Sequence, residues 1–172
     1  MNRIQQAIVW LSRIGKCRGF GIQSPTDYAF VRYVVNEHWP YYAYETLKAD
    51  HWLERKLGRL YLRLANWRQP TAMLPDTYTC WWQAGYRRIQ IESQLQRVEL
   101  ARVDIDNTEG LEALLPLCDE HSVIVVEGLW HNRQRWKAIE RDSRVGTTFD
   151  LYYCGIIMFD NNRYHHHYII NF

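Results

Sequence analysis

Five carboxylates have the residue type and spacing for chemistry in this chain: Asp76, Glu92, Asp104, Asp106 and Glu127. Each closes or follows a strand-like run, at Thr71–Leu74, Arg87–Glu92, Val98–Ile105 or Val123–Val126. Alternation of apolar and polar residues marks these runs as strands. Open parallel sheets bind ligands beyond the carboxyl ends of their strands, so parallel pairing brings the acids to one edge. There Glu92 occupies the place of the acid that holds ribose hydroxyls in nucleotide-binding sheets, and Asp76 follows the first strand. Asp104, Asp106 and Glu127 are candidates for a general base or for metal ligation. The plainer reading is that acids stand at strand ends because solvent begins there.

The turn after the first run is Pro75-Asp76-Thr77-Tyr78, and the next glycine is Gly85. Nucleotide sites place glycines directly after that strand, so that backbone N–H groups approach the ligand. Other reactive groups carry less. His165 and His167 share one face of a strand while His166 points the other way. Two histidines make half a zinc shell, with no third ligand at suitable spacing, so no metal is expected. Cysteines 17, 80, 118 and 154 form no CxxC pair and read as core thiols. Cys154 sits in an apolar run without a basic neighbour to activate it. No nucleophile elbow, P-loop or HExxH motif is present.

The elements that must position these residues fall into two segments of one domain. Residues 1–69 read as helical. Ile4, Ile8 and Leu11 share a helical face, ended by Gly15 and Gly19. Ser24 is a suitable N-cap, Pro25 suits the first helical position, and Asp27 complements the helix dipole. Phe30, Val31, Val34 and Val35 follow as an apolar stripe. A third helix over 51–68 sets Leu53, Leu57, Leu60, Leu64 and Trp67 on one side, and Arg55, Arg59 and Arg63 on the other. Residues 70–172 alternate strands with helices, including a helical face of Leu111, Leu114, Leu115 and Cys118, and another of Trp136 and Ile139. That order implies parallel pairing through right-handed crossovers. Asn161-Asn162 is a turn former, and it predicts an antiparallel hairpin between the last two long runs.

With 172 residues the chain can build one substantial core. Its 47% apolar content excludes disorder, and a net charge of +2 implies no strongly acidic partner. Arginine supplies 17 of the 21 basic residues, a bias toward stacking on aromatics and gripping oxyanions. Eight Trp and twelve Tyr exceed what one small core requires and suit an interface. The apolar run Ala7–Leu11 is too short for a signal peptide core or a membrane span, so a cytoplasmic setting without a membrane partner is expected.

Several stretches resemble class I S-adenosylmethionine-dependent methyltransferases, in particular small O-methyltransferase-like proteins of Bacteroidetes. "GFGIQSPTDYAFVRYVV" and "YYAYETL" are similar to that group's glycine-His-Ser-Pro entry motif and Tyr-Tyr-x-Tyr-Glu connector, with Gln23 in place of the His. "SVIVVEGLWHNRQRWKAIERDSRV" resembles its fifth strand and following helix. Glu127 matches the first of two acids there, and Gly128 replaces the second. "FDLYYCGIIMF" and "HYIINF" are similar to its final antiparallel hairpin. The resemblance spans about two-thirds of the chain and implies an α/β, Rossmann-like methyltransferase sheet with an N-terminal helical cap. S-adenosylmethionine is the implied cofactor, with Asp76 and Glu92 in contact with it.

The cofactor region departs from that pattern. Pro75 lacks an N–H donor, and Thr77 and Tyr78 stand where the family has glycine. The stretch from Glu92 to Asp104 is too short for the usual helix, third strand and further helix. The expectation is a shortened, methyltransferase-like protein, weakly active or inactive, with Tyr78 and Trp81 filling the cofactor space. The alternative is a non-catalytic protein-interaction module on the same fold. Nucleic-acid binding through the 51–68 helix is a weaker third reading. A small molecule or a protein, a second copy of the chain included, is the expected partner.

Overall fold

The computed structural model describes residues 3–160 and 165–172. The N-terminal segment comprises α1 (Arg3–Ser12), a 3-10 stretch over Ile14–Gly19, α2 (Pro25–Phe30), a π-turn over Val31–Val35, α3 (Ala43–Thr46) and α4 (Trp52–Arg68). Ser24 caps α2, its Oγ accepting from Asp27 N at 3.3 Å. Asp27 does more than face the helix dipole: it is buried, and Tyr168 donates its hydroxyl to Oδ2 at 3.2 Å. The Phe30, Val31, Val34 and Val35 stripe is buried as the sequence predicts. The Ile4, Ile8 and Leu11 face of α1 points to solvent instead of the core.

The remainder is α/β: β1 (Ala72–Met73), α5 (Thr79–Gly85), β2 (Gln90–Ile91), β3 (Val98–Asp104), α6 (Thr108–Leu114), β4 (Cys118–Glu127), α7 (Arg133–Glu140), β5 (Thr147–Asp150), β6 (Cys154–Met158) and β7 (His167–Ile169). Strands β1 and β2 form a parallel pair, and the other five form a mixed sheet ordered β3-β4-β6-β5-β7. Within it β6 runs antiparallel to both its neighbours, while β3–β4 and β5–β7 are parallel.

Side-chain alternation along the strands divides the core between the two faces of the sheet. Leu100, Val123, Val125, Phe149 and Ile156 pack toward α2, α4 and α5. Ala101, Val103, Ile124, Val126 and Ile157 pack on the opposite face, with Leu111 of α6 and with Trp136 and Ile139 of α7. Helices α4 and α5 approach closely because two glycines permit it. A Cβ at Gly58 would lie 2.4 Å from the Trp81 ring, and one at Gly85 would lie 2.1 Å from the Leu62 carbonyl oxygen. Gly85 thus serves helix packing rather than a ligand.

Two expected elements differ. The helix predicted through Cys118 stops at Leu114, because Pro116 cannot donate to the preceding turn; Leu115–Leu117 tightens to 3-10 and Cys118 opens β4. The C-terminal antiparallel hairpin lies within one predicted run, between β5 and β6, and turns at Leu151–Tyr153. Asp150 Oδ1 accepts Tyr152 N at 2.8 Å there, and Tyr152 takes φ +73°. Strand β7 pairs in parallel with β5 rather than antiparallel to β6. Asn161 and Asn162 lie outside the described residues.

Candidate functional site

The site is built on the loop between β1 and α5. Asp76 accepts the Tyr78 N–H at 2.6 Å through Oδ1, and its own N–H donates to Thr79 Oγ1 at 3.0 Å. Thr79 N in turn donates to the Asp76 carbonyl at 3.3 Å. A glycine-free loop is therefore closed by its own side chains. Three of its N–H groups are taken and Pro75 has none, whereas a phosphate- or nucleoside-binding loop keeps such groups free.

Arg102 of β3 stands at the centre. Its Nε donates to Asp76 Oδ2 at 3.0 Å and its Nη1 to Glu127 Oε2 at 3.0 Å. Strand register explains the second contact: Asp104 pairs with Glu127, and Arg102, two residues earlier, shares that face. This is the face that Leu100 buries against α4, so a guanidinium occupies a core-facing position. Tyr61 of α4 donates its hydroxyl to Glu127 Oε2 at 2.8 Å, and Trp82 donates Nε1 to Asp76 Oδ2 at 3.0 Å. The Tyr61 ring stacks on Trp82 at 4.6 Å and meets Tyr78 edge-on at 4.7 Å. Tyr78 in turn lies 5.3 Å from the Arg102 guanidinium carbon.

Electrostatics follow from this enclosure. Burial pushes the Glu127 carboxyl above the ordinary glutamate value, and Arg102 and the Tyr61 hydroxyl pull it back. Arg102 is held charged: burial opposes its charge, but Glu127, Tyr61 and Asp76 more than offset that. Burial also raises the Tyr61 and Tyr78 phenols far above the usual range, so both remain neutral. The arrangement is an ion network in which one guanidinium bridges two carboxylates and aromatic side chains donate to both.

Of the five sequence candidates, the structure joins Asp76 and Glu127 through Arg102. Asp104 is exposed beside Gly128, its Oδ1 accepting the Asp106 N–H at 2.9 Å. Asp106 accepts from Asn132 Nδ2 at 3.1 Å. Glu92 is exposed at the end of β2 and shares no hydrogen bond or ion pair with the other four among the described residues. The space after β1 is filled by Tyr78, Trp82 and Arg102, while Trp81 turns away to pack on Gly58. Among the described residues, no three His, Cys, Asp or Glu side chains are grouped to hold a metal ion. His167 Nδ1 lies 2.9 Å from Thr148 Oγ1 as part of the β5–β7 pairing, and His166 stacks on Tyr168. Cys154 is buried, and burial raises its thiol well above the usual range; Cys80, read as a core thiol, is exposed.

Sequence reasoning missed Arg102, although "VELARVDID" carries the signal: alternation puts Arg102 on the same face as Leu100. It also misassigned the basic face of α4. Arg63 is buried, and it donates to the Val34 carbonyl at 2.7 Å and the Val35 carbonyl at 2.9 Å. That guanidinium satisfies helix-end carbonyls, so it is not part of a solvated stripe for nucleic acid.

Comparison with protein-family models, with curated proteins and with solved structures finds no match to this chain. Among the described residues, no helix is long and apolar enough to cross a membrane.

Proposed function

We propose that this chain is a methyltransferase-like protein that does not catalyse methyl transfer, a binding module whose cofactor crevice is held shut by Arg102. The observation that carries this reading is the single guanidinium set between Asp76 and Glu127.

Support for the scaffold comes from strand order. Thr71 N donates to Glu99 and Asp76 meets Arg102, so β1 runs alongside β3 in the same direction. The chain passes from β1 to β2 on one side, then crosses to β3 and β4 on the other. A reversal of this kind is the place where doubly wound sheets hold ligands. Only six residues separate β2 from β3, Glu92 to Arg97, which suits a Rossmann-like sheet shortened by one crossover unit.

Support for inactivity comes from the contents of the crevice. S-adenosylmethionine needs free N–H groups and open space after β1. It also carries a positive sulfonium, which a fixed guanidinium repels. Here the loop donors are taken and the space holds Tyr78, Trp82 and Arg102. The test is calorimetric titration of the full chain with S-adenosylmethionine and with S-adenosylhomocysteine. No saturable heat up to about 1 mM ligand is expected, and a Kd in the micromolar range overturns the proposal.

A further inference from the structure

On the face of α4 opposite Tyr61 lies a cleft of about 630 Å³, walled by α4, by the chain from Val35 to Glu45 and by Phe172. Its size is that of a small-molecule site. We propose that this cleft binds an oxyanion carried on a planar ring, that is, a ring-bearing phosphate or carboxylate.

The first argument is an unmatched set of donors. Arg59 Nε and Asn36 Nδ2, in residues lining the cleft, are buried without an acceptor. Lys56 Nζ forms no ion pair among the described residues. Buried polar groups are almost always satisfied, so two buried donors without acceptors, beside an ammonium without an ion pair, call for an acceptor-rich occupant. Among the described residues, the side-chain carboxylates lining it are Glu37, which already accepts the Tyr41 hydroxyl at 2.9 Å, and exposed Glu45. Arg55, Lys56, Arg59 and Arg63 oppose these two, so the recess carries net positive charge. Burial, aided by Arg63, lowers the Lys56 ammonium to about 8, a cost that a bound anion would relieve.

The second argument concerns the walls. Lys56 Nζ lies 4.2 Å from the Phe172 ring centroid and 5.4 Å from that of Trp52, and Arg59 sits 4.8 Å over Tyr44. Trp39 is 73% exposed at the rim. Cations flanked by flat apolar faces suit a ligand with a ring at one end and an oxyanion at the other. A nucleic-acid strand needs an open basic track, whereas these cations converge on a recess. The site is separate from the strand-end crevice. Because S-adenosylhomocysteine also carries a ring and a carboxylate, its titration is repeated on Lys56→Met. Heat that persists unchanged there belongs to the strand ends, and heat that weakens belongs to the recess.

The experiment titrates the full chain at pH 7 with phenyl phosphate, phenylacetate and inorganic phosphate, read by tryptophan fluorescence and calorimetry. One of the ring-bearing anions should saturate with a Kd below about 1 mM and bind roughly tenfold more tightly than inorganic phosphate. The tighter of the two identifies the oxyanion. Arg59→Met and Lys56→Met should each weaken that binding by roughly tenfold, since each removes a charge-assisted hydrogen bond. Lys56→Met tests the site even where Arg59→Met does not fold. The proposal fails if neither aryl anion saturates by about 10 mM, if inorganic phosphate binds as tightly, or if folded variants bind unchanged.

Discussion

Replacing Arg102 with methionine tests whether the strand-end network is held by its one cation. Methionine keeps most of the aliphatic stem volume, so the packing loss is small and the charge is what disappears. The change leaves Asp76 and Glu127, whose side chains are only 13% and 17% exposed, without their counter-ion. Removing one partner of a fully buried pair costs about 3–5 kcal/mol. These carboxylates are partly wetted and keep other donors, Tyr78 N and Trp82 Nε1 for Asp76 and the Tyr61 hydroxyl for Glu127. The lower end, about 3 kcal/mol, therefore applies. In a domain of this size that lowers the midpoint of thermal unfolding by about 6–12 °C.

The pH dependence gives the result its specificity. The folded Glu127 value already lies above its unfolded one, and losing Arg102 raises it further. A raised carboxyl stabilises the folded state when protonated, so the variant regains stability as pH falls and loses it again as pH rises through the folded value. The gap between wild type and Arg102→Met, measured by urea unfolding, should therefore narrow between about pH 8 and pH 5. A double-mutant cycle with Glu127→Gln isolates the pairwise share. A loss under about 1 kcal/mol, or a gap that does not change with pH, would refute the claim that Arg102 holds this network together.

Two further perturbations probe the rest of the frame. Asp150, 1% exposed, is gripped by Arg13 Nη2 at 2.9 Å and by Arg133 Nη2. Burial alone would raise its carboxyl, but the two guanidiniums outweigh that and hold it below the ordinary aspartate value. Its contribution is present above the unfolded value and lost as pH falls through the folded one, so acid unfolding should steepen below about pH 4. Asp150→Asn should cost about 3 kcal/mol at neutral pH and flatten that acid limb in urea titrations. Gly85→Ala sets a methyl 2.1 Å from the Leu62 carbonyl oxygen, a backbone atom that cannot yield. Calorimetry should show a loss of about 3 kcal/mol from separating α4 and α5.

Periodicity made the apolar frame legible. Leu57, Leu60 and Leu64 of α4 are fully buried, and the four predicted runs coincide with β1 to β4, β4 beginning earlier than expected. The same rule failed for charges on core-facing positions, because pattern reading assigns every arginine to solvent. Arg63 needs the carbonyls left open where the π-turn ends at Val35, and Arg102 needs two acids brought together from distant segments. Neither partner is visible in the local sequence. Strand pairing was hidden for a similar reason: the alternation in "HYI" specifies a strand but not which neighbour it joins. The acids were legible as a set at the sheet edge. That a guanidinium already neutralises two of them was not.

Buried cations in this chain differ in one respect that bears on function. Arg102, Arg63 and Arg13 each spend their donors on carboxylates or carbonyls of the same fold. Arg102 and Arg13 have carboxylate counter-ions and Arg63 has carbonyl acceptors, and an incoming ligand would have to break those bonds first. Among the described residues Lys56 forms no ion pair, and Arg59 Nε is buried without an acceptor. Desolvating a cation without a counter-ion destabilises the folded state, and a bound anion recovers that loss as affinity. At the strand ends the Arg102 guanidinium already has two carboxylate partners, Asp76 and Glu127. In the recess beside α4, Arg59 Nε and Asn36 Nδ2 are buried without acceptors, as are Arg133 Nη1, Arg135 Nε and Trp136 Nε1 of α7. Binding an aryl oxyanion should therefore raise the thermal midpoint of the wild-type chain, and Lys56→Met should need roughly tenfold more ligand for the same rise.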